Sequence, residues 1–123
     1  MRGEHIVYRG ALRTIEYAVL PDGRMPAKDF FDERSAKDKS RLLSLFERLG
    51  DHGRINNDQK FKKIVGTDFF EFKSFQIRVI CFTLPGGRMV LTHGLVKKRD
   101  KLDRAELRRA VRIRDSCLNV LAD

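Results

Sequence analysis

The sequence predicts an α+β fold, a sheet with helices packed against it. Three observations lead there: a β-rich run that stops at a turn, two helix patterns directly after it, and four closely spaced strand runs ahead of a last long helix. Residues 12–20 are rich in Ile, Tyr and Val, and Pro21-Asp22-Gly23 ends them, so they form the first expected strand. Pro26 suits a helix start, with Phe30 and Phe31 as its short apolar face. Ser35, with Asp38 three positions on, can cap a second helix. Its Leu42, Leu45, Phe46 and Leu49 keep helical spacing, and Gly50 is the expected stop.

Residues 51–59 are polar, contain Gly53 and Asn56-Asn57, and read as a loop. Strand patterns then cover residues 61–65, 69–75, 77–84 and 89–96, with Pro85-Gly86-Gly87 as a hairpin signal between the last two. The 77–84 run is apolar at nearly every position, which predicts a central strand covered on both faces. Asp103 and Glu106 have the spacing of a cap and its return partner, opening a helix to about residue 121. Leu107, Ala110, Val111, Leu118 and Leu121 share its apolar face. Arg114 falls inside that stripe, where it must snorkel or meet a carboxylate.

A length of 123 residues fits one domain, expected to span 1–123. No run approaches the roughly 20 apolar residues of a membrane span, and no secretory apolar region follows Met1 to His5; a cytoplasmic protein is expected. The net charge is +9, and it is concentrated: residues 60–114 hold 15 basic and 5 acidic side chains. A one-sided positive field attracts polyanions, nucleic acid first among them, although a solvated basic surface would have the same composition. Cys81 and Cys117 lie in apolar runs and are expected in the core. His5, His52 and His93 have no metal-ligand spacing, so neither metal nor cofactor is expected.

The candidate chemistry lies between residues 71 and 99. Alternation places Glu71 with Lys73 on one face, and His93 with Leu95 and Lys97 on another. If neighbouring strands pair as hairpins, Lys73, Arg78, His93 and the Lys97-Lys98-Arg99 cluster converge on one phosphate-handling cleft. The plain alternatives are an Arg78–Glu71 ion pair, a core histidine at 93 and a solvated turn at 97–99. Phe69, Phe70, Phe72, Phe75 and Phe82 are mainly core candidates, though one exposed ring could stack on a base.

The block Gly66-Thr67-Asp68-Phe69-Phe70-Glu71-Phe72-Lys73, then Ile77-Arg78-Val79, then His93-Gly94-Leu95-Val96-Lys97-Lys98, resembles the RelE/HigB toxins of bacterial toxin–antitoxin pairs, closest to their phage-derived HigB-like branch. The resemblance covers roughly residues 61–115. It implies a RelE/ParE-like fold: a small antiparallel sheet with two N-terminal helices and one C-terminal helix, its concave face holding the basic residues. It also implies a metal-independent mRNA endoribonuclease, active on translated messages, with mRNA, the ribosome and a cognate helix-turn-helix antitoxin as partners.

By position, the resemblance assigns catalysis to Lys73, Arg78, His93, Lys97 and Lys98, while Lys62, Lys63 and Arg99, as further cations, are expected to hold RNA backbone or ribosomal RNA through salt-sensitive contacts. Arg78 suits phosphate through its planar fork, and His93 suits proton transfer near neutral pH. A lysine could serve as base only with its pKa lowered by burial or by neighbouring cations. Ile77 departs from the aromatic residue common before that Arg, no Tyr follows Lys98, and residues 101–103 lack the proline often found there. The rival readings are a noncatalytic RNA- or ribosome-binding module and a ParE-type gyrase inhibitor on the same fold.

Overall fold

The computed structural model describes residues 3–98 and 102–122. The chain runs β1 (Ile6–Arg9), β2 (Thr14–Tyr17), α1 (Pro26–Asp32), α2 (Ala36–His52), β3 (Phe61–Lys63), β4 (Phe70–Ser74), β5 (Ile77–Leu84), β6 (Arg88–Val96) and α3 (Arg104–Ala122). All six strands join one sheet in the order β1-β2-β6-β5-β4-β3. Neighbours pair antiparallel except β2 and β6, which run parallel, with Thr14 opposite Arg88 and Tyr17 opposite Leu91.

This corrects the expected small antiparallel sheet with its helices first. The sheet is larger and mixed, and two strands precede the helices. Of the expected first strand, residues 12–20, only Thr14–Tyr17 forms, and β1 precedes it where the sequence pattern shows no strand. Between the two, Gly10 to Arg13 make a tight connection, Gly10 N–H donating to Arg13 O (2.9 Å), and Leu12 is 63% exposed. From β2 the chain leaves the sheet through α1 and α2, and a crossover of that kind allows a parallel return. A bidentate ion pair also ties β2 to β6: Arg88 Nε and Nη2 donate to the buried Glu16 carboxylate at 2.9 and 2.6 Å.

Both faces of the sheet are covered. Ile15, Tyr17, Phe72, Val79 and Leu91 pack against Leu42, Leu45, Phe46 and Leu49 of α2. On the other face Ile80, Phe82 and Val90 pack with Ala110, Ile113 and Cys117 of α3. That two-sided burial is why β5 reads as a continuous apolar run. Ser35 caps α2 as expected, its hydroxyl accepting from Asp38 N–H at 3.1 Å. The helix does not stop at Gly50, however. It continues to His52 and ends on left-handed Gly53 (φ 79°), so residues 51 and 52, expected in a loop, are helical.

Asp103 caps α3, its carboxylate accepting from Ala105 N–H at 2.9 Å. The buried line of α3 is Ala110, Ile113 and Cys117, while Val111 is 37% exposed. Arg114 snorkels over the Phe69 ring, 5.1 Å from its centre, and meets Asp115 at 3.2 Å. Cys81 and Cys117 are buried free thiols. Among the described residues no helix is long and apolar enough to cross a membrane.

A cationic cluster at the open end of the sheet

Strand register decides which candidate residues meet. Lys73 of β4 stands directly opposite Arg78 of β5, beside the short turn that joins the two strands. Alternation puts both on the α3 side of the sheet, with Glu71 and Ile80. Arg78 pairs onward with Leu95 of β6, and Lys62 of β3 stands opposite Glu71. Past β6, Lys97 N–H donates to Gln76 O at 2.6 Å, which draws the Lys97 backbone against the same turn.

The buried Glu71 carboxylate anchors this group. Its Oε1 lies 3.3 Å from Arg78 Nε, so the Arg78–Glu71 pair anticipated as a plain alternative is present. That approach is an ion pair without hydrogen-bond alignment; the directed bonds of Arg78 run from Nη1 to the carbonyls of Phe75 (2.6 Å) and Ile77 (2.9 Å). The guanidinium is therefore fixed at the turn. Nη2 has no bonded protein acceptor among the described residues.

Lys73 is half-buried, and burial is the main cause that pulls its pKa below the ordinary lysine value. Glu71 opposes this, whereas Lys62, Arg78 and Lys97 add to it. A lysine shifted in this direction holds more of its neutral, proton-accepting form at a given pH.

The other candidates lie elsewhere. Lys98 lines a cavity of about 600 Å³ with Leu95, Lys97, Asp103 and Glu106, between the end of β6 and the start of α3. Lys63 faces a different cavity with Asp68, Phe82 and Arg114, at the far end of β5. Arg99 lies outside the described residues.

His93 is not part of the open cluster. It stands opposite Ile80, and its side chain is 1% exposed beneath α3. Its Nδ1 lies 3.1 Å from Thr92 Oγ1, and its Nε2 lies 3.5 Å from Glu106 Oε1 without hydrogen-bond alignment. Burial, with the Arg109 charge adding to it, pushes the His93 pKa down to about 4. The ring is thus a neutral packed histidine that no substrate can touch, the plain alternative already weighed for it.

A pH prediction follows from the same geometry. The unfolded chain titrates His93 near 6.5 and the folded chain near 4, so protonation favours unfolding below 6.5. The stability held by neutral His93 is complete above pH 6.5 and is lost as the pH falls towards 4, by about 3 kcal/mol in all. In urea titrations at pH 7 and pH 4, wild type is expected to lose that much more than His93→Gln. Parallel losses would remove the buried-neutral assignment.

Two features escaped the sequence pattern. The approach of Glu106 to His93, and of the Arg109 charge that acts on it, depends on how α3 lies across the sheet, which no local spacing encodes. Phe75, counted with the core rings, is 70% exposed and has φ 56°, the only positive φ outside glycine among the described residues. Among the described residues no group of three or more His, Cys, Asp or Glu could hold a metal ion.

A search of curated proteins found no match. The profile of the family described as Phage derived protein Gp49-like (DUF891) matches residues 29–115, a span from within α1 to within α3 that contains every described cationic residue above. With the match covering most of the chain, the protein belongs to this Gp49-like family of phage-derived, toxin-like proteins.

Proposed function

We propose that the chain is the toxin of a toxin–antitoxin pair of the RelE/HigB kind, and that it cleaves messenger RNA at the Lys73–Arg78–Lys97 cluster. One observation carries this reading: half-buried Lys73, Arg78 and Lys97, from β4, β5 and the segment after β6, gather at the β4–β5 turn, with Arg78 held by the buried Glu71. The toxin-like family supports the same reading.

The reaction needs only the chemistry of RNA itself. A 2′-hydroxyl attacks the adjacent phosphorus, forming an O–P bond while the bond to the 5′ oxygen breaks, and leaves a cyclic phosphate and a free 5′-hydroxyl. Lys73, in its neutral form, takes the proton of the attacking hydroxyl. Arg78, held by Glu71 and the turn carbonyls, directs Nη2 at a phosphoryl oxygen as charge gathers there. The Lys97 ammonium returns a proton to the departing oxygen. Lys62 and Lys98 hold flanking backbone through salt-sensitive contacts. An acidic antitoxin segment laid over the cluster would exclude RNA by charge complementarity.

The test is incubation with a translated message in a purified translation system, followed by mapping of transcript ends. Fragments ending in cyclic phosphate are expected, and an intact message at high protein concentration overturns the reading. The fixed hydrogen bonds of Arg78 favour one alternative, a noncatalytic RNA-binding module. For that module the RNA affinity falls steeply with salt while no message is cut.

A further inference from the structure

The turn between β4 and β5 combines two choices that a sequence normally avoids. Its two-residue loop, Phe75-Gln76, has positive φ at the first residue only, a position that hairpins commonly give to glycine. A bulky side chain is costly there. The same ring stands 70% exposed to water.

Around the ring the surface is basic. The Arg41 guanidinium of α2 stacks on Phe75, 4.4 Å from the ring centre. Arg48, Lys60, Ser44 and Ser74 line the same open groove, of about 380 Å³. The Phe75 carbonyl is also the acceptor that fixes Arg78 Nη1, at 2.6 Å. One residue therefore presents an aromatic face to solvent and positions the phosphate-facing cation.

We propose that Phe75, backed by Arg41, is a nucleobase-stacking subsite for single-stranded RNA, placing the base of a nucleotide that flanks the phosphate held at the Lys73–Arg78–Lys97 cluster. The occupant follows from charge and shape. An exposed ring suits the face of any base, and the arginines and lysine of the groove complement the backbone on either side of it. Because this subsite rests on the RNA reading above, its test uses strands that cannot be cut.

A short single-stranded oligonucleotide with 2′-O-methyl riboses is titrated by fluorescence anisotropy, alongside an abasic strand of the same length. Phe75→Gly, which keeps the left-handed backbone and removes the ring, is expected to weaken the base-bearing strand about 5- to 150-fold and to leave the abasic strand unchanged. The chain has no tryptophan, so Phe75→Trp adds a single reporter. Its fluorescence is expected to be quenched by the base-bearing strand and not by the abasic one, a readout that also decides the matter should Phe75→Gly not fold.

Equal losses on both strands, no loss on either, no quenching, or no binding by the wild type each overturn the subsite. Base-dependent loss in a protein that leaves translated messages intact keeps the subsite and removes the nuclease. Cleavage that proceeds with no dependence on residue 75 does the reverse.

Discussion

Replacing Lys73 with methionine is expected to slow transcript cleavage by about 10²- to 10⁴-fold while the protein stays folded. The methionine keeps an unbranched stem for packing, and although the lost ammonium gives up its attraction to Glu71, repulsion from Lys62, Arg78 and Lys97 is relieved and Arg78 still pairs with Glu71. The loss is therefore chemical. Lys73→Arg restores the charge but not a group that can give up its proton at moderate pH, so it is expected to remain slow. The wild-type rate is expected to follow a bell-shaped pH profile, rising as Lys73 loses its proton below the ordinary lysine value and falling once the ammonium that protonates the departing oxygen is itself deprotonated. Wild-type rates from Lys73→Arg would leave the lysine as a cation only and assign the proton transfer elsewhere. Arg78→Ala is a less clean probe, because it also leaves the buried Glu71 without its cation.

Gly10→Ala is expected to lower folding stability by about 3 kcal/mol, read from urea unfolding of the two proteins. A Cβ on Gly10 would overlap the backbone carbonyl carbon and oxygen of Gly50 and come within 2.5 Å of its Cα. These are backbone atoms, and they cannot swing aside. The Gly50 oxygen accepts from both Leu12 N–H (2.9 Å) and Arg13 N–H (2.8 Å), so moving α2 away breaks two hydrogen bonds. Gly23→Ala is the control: its φ of 88° is strained for alanine, yet nothing lies within 4 Å of the added carbon, and a loss of about 1 kcal/mol is expected. If Gly10→Ala loses no more than Gly23→Ala, the β1–β2 connection can shift and the close approach is not a constraint.

The role of Gly50 shows where local reading fails. In sequence it stands at the end of a periodic helix and looks like a stop. In the fold it lies inside α2, and its missing side chain makes room for the Tyr8 ring and the Arg13 carbonyl, far away in sequence. Gly94 is similar, since a Cβ there would run into the Phe30 ring of α1. His93 and Phe75 exchange places in the same way: the candidate for chemistry is packed under α3, and a presumed core ring stands in water. The strand runs 69–75 and 77–84 leave the Lys73–Arg78 pairing open, because register depends on where β4 ends, at Ser74, and on the two-residue turn that follows.

The amino-acid order alone determined what depends on near neighbours: the Ser35 and Asp103 caps, the bounds of β5, and the one-sided excess of positive charge. Only the tertiary structure decided that β2 returns parallel to β6, that His93 is sealed and neutral, that Lys97 joins the cluster while Lys63 does not, and that Phe75 is exposed. The reason is one of range. Caps and periodicity arise from interactions a few residues apart, whereas burial and the meeting of distant strands depend on how whole elements pack.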